Sequence, residues 1–164
     1  MSREFVSIPL VSLEDTKTLG RDLSGALRAG DTVCLDGPIG AGKTELARAV
    51  LHAMMAKDGT MEDVPSPSFT LVQVYEFKGM DVWHVDLYRL EPGADTSELG
   101  LFENPETCLY LVEWPDRLGD DLPRDALTIR LDVDPATDVR RARFLGSAQW
   151  RDRLLARIKG GLHA

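Results

Sequence analysis

The chain has 164 residues, 43% hydrophobic and 28% charged, the composition of one globular domain spanning residues 1–164 that needs no disulfide or metal staple. Its formal net charge of −8 argues against a protein whose main task is gripping nucleic acid, which needs a basic footprint. Runs such as Cys108–Val112 fall far short of the roughly 20 apolar residues of a membrane helix, Met1–Glu4 leads into no signal-peptide core, and Cys34 and Cys108 sit in apolar runs, so a cytoplasmic protein with no membrane association is expected.

Ser12, with Asp15 three residues on, predicts a helix N-terminus, followed by Leu19, Leu23, Ala26 and Leu27 at helical spacing and ended by Gly30. Thr32–Leu35 is a short apolar run and reads as a buried strand. A glycine-rich segment leads into a second helix over Lys43–Ala56, and residues 57–68, polar and carrying Pro65 and Pro67, read as a loop. Leu71–Phe77 and Asp81–Leu87 form a predicted hairpin across Lys78-Gly79. Glu91–Glu106 is a connection with one helical turn near Ser97–Phe102. Cys108–Val112 is apolar throughout, as a central strand covered on both faces should be. Ala126–Val133 and Val139–Leu145 read as a late β pair, and Ala148–Ile158 as a closing helix with Trp150, Leu154, Leu155 and Ile158 on one face. Together these predict an α/β fold: a three-layer P-loop NTPase-like domain with a mostly parallel central sheet and antiparallel additions.

Gly37-Pro38-Ile39-Gly40-Ala41-Gly42-Lys43-Thr44 matches the G-x-x-x-x-G-K-[ST] phosphate loop at every fixed position. The glycines let the backbone approach a phosphate closely, and successive N–H groups of the loop and of the helix that follows point at the anion. Lys43 supplies a full positive charge for the β and γ oxygens, and Thr44 offers a hydroxyl to Mg2+. A strand before the loop and a helix after it are the context the motif requires.

Hydrolysis would need, in addition, a carboxylate near the metal and a group to orient water. Two acids end apolar runs, where α/β sheets place such groups: Glu113 and Asp86. Each alone also reads as a strand-end cap or surface charge. Period-two alternation puts His84, Asp86 and Tyr88 on one face and Trp83, Val85 and Leu87 on the other. His84 reads equally well as a hydrogen-bonded structural histidine, and His52 and His163 are not spaced with it for a metal site. The hydroxyls of Ser66-Pro67-Ser68-Phe69-Thr70 have two readings: a segment that contacts the γ-phosphate or its metal, or an ordinary polar connection. Residues 124–164 hold nine basic and five acidic side chains, which reads as a solvated helix face or as a docking surface for an acidic partner.

Four stretches carry a resemblance to a known family: Gly37–Thr44, Ser66–Val72, His84–Leu90 and Val112-Glu113-Trp114-Pro115. In order and spacing they resemble TsaE (formerly YjeE), the bacterial P-loop ATPase required for threonylcarbamoyladenosine (t6A) modification of tRNA. The resemblance runs from the first helix to the basic segment near Arg140. It implies an ATP- and Mg2+-dependent ATPase acting with the TsaD–TsaB pair, which modifies adenosine 37 of tRNAs that read ANN codons; a complete phosphate-binding set without an obvious second substrate pocket or arginine-rich lid predicts slow intrinsic turnover. Contact with tRNA would then be indirect, through that complex.

The resemblance further implies roles residue by residue. Gly37 through Glu45 (Gly37, Pro38, Ile39, Gly40, Ala41, Gly42, Lys43, Thr44, Glu45) would hold the nucleotide. Leu13 would approach the adenine, Ser68 and Thr70 would belong to the switch segment, and Arg140 would lie near the nucleotide. Thr44 and Glu113 would serve Mg2+, Asp86 the metal or the attacking water, and Trp114 would pack near the nucleotide or a partner. Lys43, Asp86 and Glu113 are the expected catalytic set. Pro38-Ile39, Ser68 and Glu45 depart from the usual family residues, and Glu45 adds negative charge beside the metal position. Two rival functions are a small-molecule kinase using the same loop and a nucleotide-gated binding module with incidental hydrolysis.

Overall fold

A computed structural model of the chain describes residues 3–158; His163 and Lys159 lie outside the described residues. In chain order the elements are β1 (Arg3–Leu10), α1 (Leu13–Ala26), β2 (Thr32–Asp36), α2 (Lys43–Asp58), β3 (Val72–Phe77), β4 (Met80–Asp86), β5 (Cys108–Glu113), β6 (Leu127–Val133), β7 (Arg140–Gly146) and α3 (Ala148–Leu155). The seven strands form one sheet ordered β1-β7-β6-β2-β5-β4-β3. The inner run β6-β2-β5-β4 is parallel, while β3, β7 and β1 add antiparallel strands at the two ends. The expected mixed sheet is therefore present.

Four elements differ from expectation. β1 is an additional strand, in which Val6, Ile8 and Leu10 alternate inward. Pro9 obscures it in the sequence, yet at a sheet edge a missing N–H is tolerated. Helix α1 ends at Ala26 and not at Gly30, because Leu27 leaves in an extended conformation, and Gly30, at φ +97°, turns the chain toward β2. The expected helical turn in the long connection is a 3-10 turn at Ser97–Leu99, and α3 stops at Leu155 with Ile158 buried beyond it.

One face of the sheet is covered by α1, α2 and α3. Leu19, Leu23, Leu46, Val50, Leu51 and Leu154 pack there against Leu35, Leu109, Leu111, Ile129 and Phe144. The start of α1 is held by a reciprocal cap: Ser12 Oγ accepts from Asp15 N (3.3 Å), and Asp15 Oδ2 accepts from Val11 N (2.9 Å). The other face carries Val85, Leu87, Cys108, Tyr110 and Val112, covered by the segments after β4 and β5. The third layer is thus made of 3-10 turns and loops. No described helix is long and apolar enough to cross a membrane.

Candidate functional site

The loop between β2 and α2 wraps the N-terminus of α2 at the carboxyl end of the parallel strands. Two glycines are demanded by geometry. A Cβ on Gly37 (φ +144°) would lie 2.3 Å from the Leu131 carbonyl oxygen, and Gly42, the residue before α2, stands at φ +106° with the Arg140 guanidinium packed on it. Neither conformation suits an L side chain. Free helix N–H groups and the positive end of the helix dipole face outward here.

Lys43 is only 5% exposed. Its ammonium donates to the carbonyls of Gly37 (2.6 Å) and Pro38 (2.8 Å) and stands 4.2 Å from the centre of the Trp114 ring. Burial holds its pKa below the ordinary lysine value, while Glu113, Asp36 and Asp86 pull it back up. A lysine in the first turn of α2 is held there by loop carbonyls, an aromatic face and three nearby acids, so its charge is focused on the cleft above the loop.

The two sequence-identified carboxylates meet at neighbouring strand ends. Asp86 and Glu113 are register partners across the parallel β4–β5 pair, with Leu35 of β2 on the far side of Glu113. Both point toward α2, since Glu113 follows Leu109 and Leu111 on the helix-covered face. Glu113, 2% exposed, accepts from the Thr44 hydroxyl at 2.8 Å (Oε1) and 3.0 Å (Oε2). Its Oε2 also lies 2.7 Å from His84 Nε2. Asp86 accepts from Tyr88 N (3.0 Å, Oδ1) and from Ser66 Oγ (3.4 Å, Oδ2). Burial raises the pKa of Asp86 and Glu113 adds to the rise; the Tyr88, His84 and Ser66 contacts oppose it.

Lys43, Thr44, Asp86 and Glu113 line a cleft of about 290 Å3 together with Gly40, Glu45, Tyr88, Trp114 and Arg140. A second depression of about 270 Å3 shares Gly40, Glu45 and Arg140 and extends to Leu13, placing that residue at the outer end of the same surface. Glu45, the departure that adds charge, is bonded to Arg140 (Oε2 to Nη1, 2.7 Å), so its charge is paired within the site. A larger groove of about 470 Å3 between α1 and α2 contains neither Asp86 nor Glu113.

Of the hydroxyls of Ser66, Ser68 and Thr70, the one that reaches a carboxylate is that of Ser66. Ser68 and Thr70 make no hydrogen bond to Asp86 or Glu113 among the described residues, and Phe69, 82% exposed, lies under the Arg89 guanidinium. Sequence reasoning missed Asp36, whose Oδ1 accepts from Gly37 N (3.0 Å) and whose Oδ2 pairs with Arg130 (3.2 Å). The same signal that flagged Glu113, an acid closing an apolar run, marks Asp36 too. The late basic segment is largely paired internally: Arg140 with Glu45, Arg143 with Asp132 and Glu4, and Arg153 with Asp31.

A glycine loop between a parallel strand and a helix, with acids closing the neighbouring strands, defines an α/β protein of the P-loop kind. The crystal structure of YdiB from Bacillus subtilis superposes with a TM-score of 0.72 at 23% identity, covering 96% of this chain and 95% of that one, a likeness of fold. The family model for threonylcarbamoyl adenosine biosynthesis protein TsaE matches residues 10–142. Proteins named tRNA threonylcarbamoyladenosine biosynthesis protein TsaE align with it: from Streptomyces coelicolor at 37% identity (79% of this chain, 89% of that protein), and from Mycobacterium bovis at 34% (80% and 81%). The relative from Rickettsia felis is 33% identical over 73% of this chain and 68% of its own length. The chain belongs to the TsaE family.

Proposed function

We propose that this chain is a single-domain, Mg2+-dependent ATPase subunit of tRNA threonylcarbamoyladenosine biosynthesis, acting in the cytoplasm with the TsaD–TsaB pair and meeting tRNA through that complex. The observation that carries the reading is the Thr44–Glu113 hydrogen bond beside Lys43. It sets a hydroxyl and a carboxylate next to the cation that would meet the β and γ phosphates. The family's role in t6A biosynthesis supports the pathway.

The donor set fits Mg2+. Thr44 Oγ1, Glu113 and Asp86 offer hard oxygen ligands, and no group of three His, Cys, Asp or Glu that would make a protein-only metal cage occurs among the described residues. Mg2+ prefers such sites, taking its other ligands from phosphates and water. When bound it supplies charge neutralisation to the phosphate oxygens.

In this reading the loop amides from Gly37 to Thr44 hold the phosphates and Lys43 turns from its loop carbonyls to the β and γ oxygens. Arg140 and Leu13 border the rest of the nucleotide, with Ser68 and Thr70 in the segment that orders against the γ-phosphate. Asp86 orients the attacking water and accepts its proton as the water oxygen bonds to the γ-phosphorus and the bond to the ADP oxygen breaks. The burial that raises its proton affinity suits it to that task. Low intrinsic turnover by the protein alone is expected in this reading.

The test is phosphate release from ATP by the protein alone and with the TsaD–TsaB pair, for wild type and Glu113→Ala. Wild type is expected to release phosphate, and Glu113→Ala to lose it by about a hundredfold, the scale for a catalytic electrostatic group. Label transferred from the γ position to a metabolite would instead identify a kinase. Partner release driven by ATP in the Glu113 variant would identify a binding module.

A further inference from the structure

We infer that His84 is a positioning residue that holds the Glu113 carboxylate against Thr44, so that the pair meets the metal–nucleotide complex in one fixed geometry. This rests on the nucleotide reading above and assigns a role to a residue that reading does not use.

His84 is fully buried (0% exposed) in the middle of a core whose neighbours on the same face, Val82 and Leu111, are apolar. Its Nε2 lies 2.7 Å from Glu113 Oε2, and its Nδ1 has no hydrogen-bond partner among the described residues. Leaving a buried ring nitrogen unpaired is unfavourable, and an aliphatic side chain would fill the space without that cost. The ring is therefore accounted for by its one bond. Since a carboxylate only accepts, Nε2 carries the proton and donates.

The register explains why position 84 can do this. On β4, His84 and Asp86 share a face two residues apart, and Asp86 stands opposite Glu113. His84 thus approaches Glu113 from beneath while Asp86 flanks it with like charge. Three rotatable bonds would let the Glu113 side chain swing away from Asp86. The imidazole N–H on one side and the Thr44 hydroxyl on the other hold it in place. Partners that orient a metal-ligating side chain in this way typically account for 10–100-fold in metal affinity or activity.

The experiment compares wild type with His84→Leu, which removes the donor, and His84→Gln, which places an amide N–H at the same reach. Melting temperature, ADP affinity with and without Mg2+, and phosphate release are measured on each. His84→Leu is expected to bind metal-free ADP within about twofold of wild type, while its Mg2+-dependent gain in affinity and its phosphate release fall roughly 10–100-fold. His84→Gln is expected to recover most of both. Without any ligand, the wild-type proton NMR spectrum is expected to show a slowly exchanging imidazole N–H signal that shifts in Glu113→Gln.

A folded His84→Leu with wild-type Mg2+ dependence and turnover overturns the inference and leaves the nucleotide reading standing. So does His84→Gln failing in every readout, metal-free ADP included, which would mean a packing role alone. If His84→Leu does not fold, the wild-type imidazole signal and the Gln variant decide, and absence of the signal overturns the inference. A wild type that binds no ADP at all removes both this inference and the reading beneath it.

Discussion

On one face of the sheet, α1, α2 and α3 lay aliphatic side chains over β2, β5 and β6, and Asp86 and Glu113 point that way. On the other, aromatic side chains do the covering: Trp83 and Phe102 pack on Tyr110 at ring-centre distances of 5.5 and 4.7 Å, beneath 3-10 turns and loops. The helical face is a continuous core that fixes the phosphate loop. The looped face is smaller and local, and it holds both cysteines' strands: Cys108 belongs to it, and Cys34 shares its side of β2 by register with Val112. The molecule concentrates stability behind the site and leaves the opposite face to irregular structure.

The largest expected effect breaks the helical face. Leu51→Ala, at a fully buried position on α2, is expected to cost about 2–5 kcal/mol. Leu122→Ala, half-buried under the looped face, is expected to cost less than about 1.5 kcal/mol. Urea unfolding of the two variants measures the contrast, and equal losses would erase it.

Next comes the contact between α1 and α2. A Cβ on Gly20 would lie 2.5 Å from Ala49 Cβ and 2.7 Å from its carbonyl carbon. Gly20→Ala should therefore destabilise by roughly 1–3 kcal/mol through overpacking, against the gain of about 0.5–1 kcal/mol that the same change brings in an unobstructed helix. The sign of the shift in melting temperature distinguishes the two.

A smaller effect, of opposite sign, is expected at the site. Burial raises the Asp86 pKa, so the folded state favours its protonated form. Its contribution is intact below the unfolded carboxylate pKa and is lost as pH rises through the folded value, leaving the ionised group unfavourable near neutrality. Asp86→Asn, which never ionises, is expected to raise the melting temperature at pH 7 while lowering phosphate release. A lower melting temperature would show that the Ser66 and Tyr88 contacts outweigh burial.

The smallest effect tests whether the looped face opens. Burial, reinforced by Asp36, pushes the Cys34 thiol up to about 12, and Cys108 is also buried. In native buffer at pH 8 neither thiol is expected to react with a disulfide reagent on the timescale of complete reaction in urea. Rapid labelling of one thiol would reveal local opening of the irregular layer.

Much of the helical face was legible because its chemistry is periodic or motif-bound. Gly37–Thr44 announces the loop, alternation in β4 separates His84 and Asp86 from Trp83 and Val85, and the apolar run before Glu113 marks a central strand. The looped face has no period, so its 3-10 turns at Pro105–Thr107 and Pro115–Asp121 left little signal, and only the turn at Ser97–Leu99 was legible. At the site, the bonds of Glu113 to His84 and Thr44 depend on the β4–β5 register and on the docking of α2, which no local pattern encodes. Ser66 was legible as a hydroxyl in a proline-framed loop, but its contact with Asp86 was not.

The most direct measurement of the central claim is calorimetric titration of ADP with Mg2+ into wild type and Lys43→Ala. Wild type should bind one nucleotide, and Lys43→Ala should lose at least about a hundredfold in affinity, the scale of removing a hydrogen-bonded charge from a buried phosphate contact, with its fold retained. A wild type that gives no binding heat, or a folded Lys43→Ala that binds as tightly as wild type, would contradict the account.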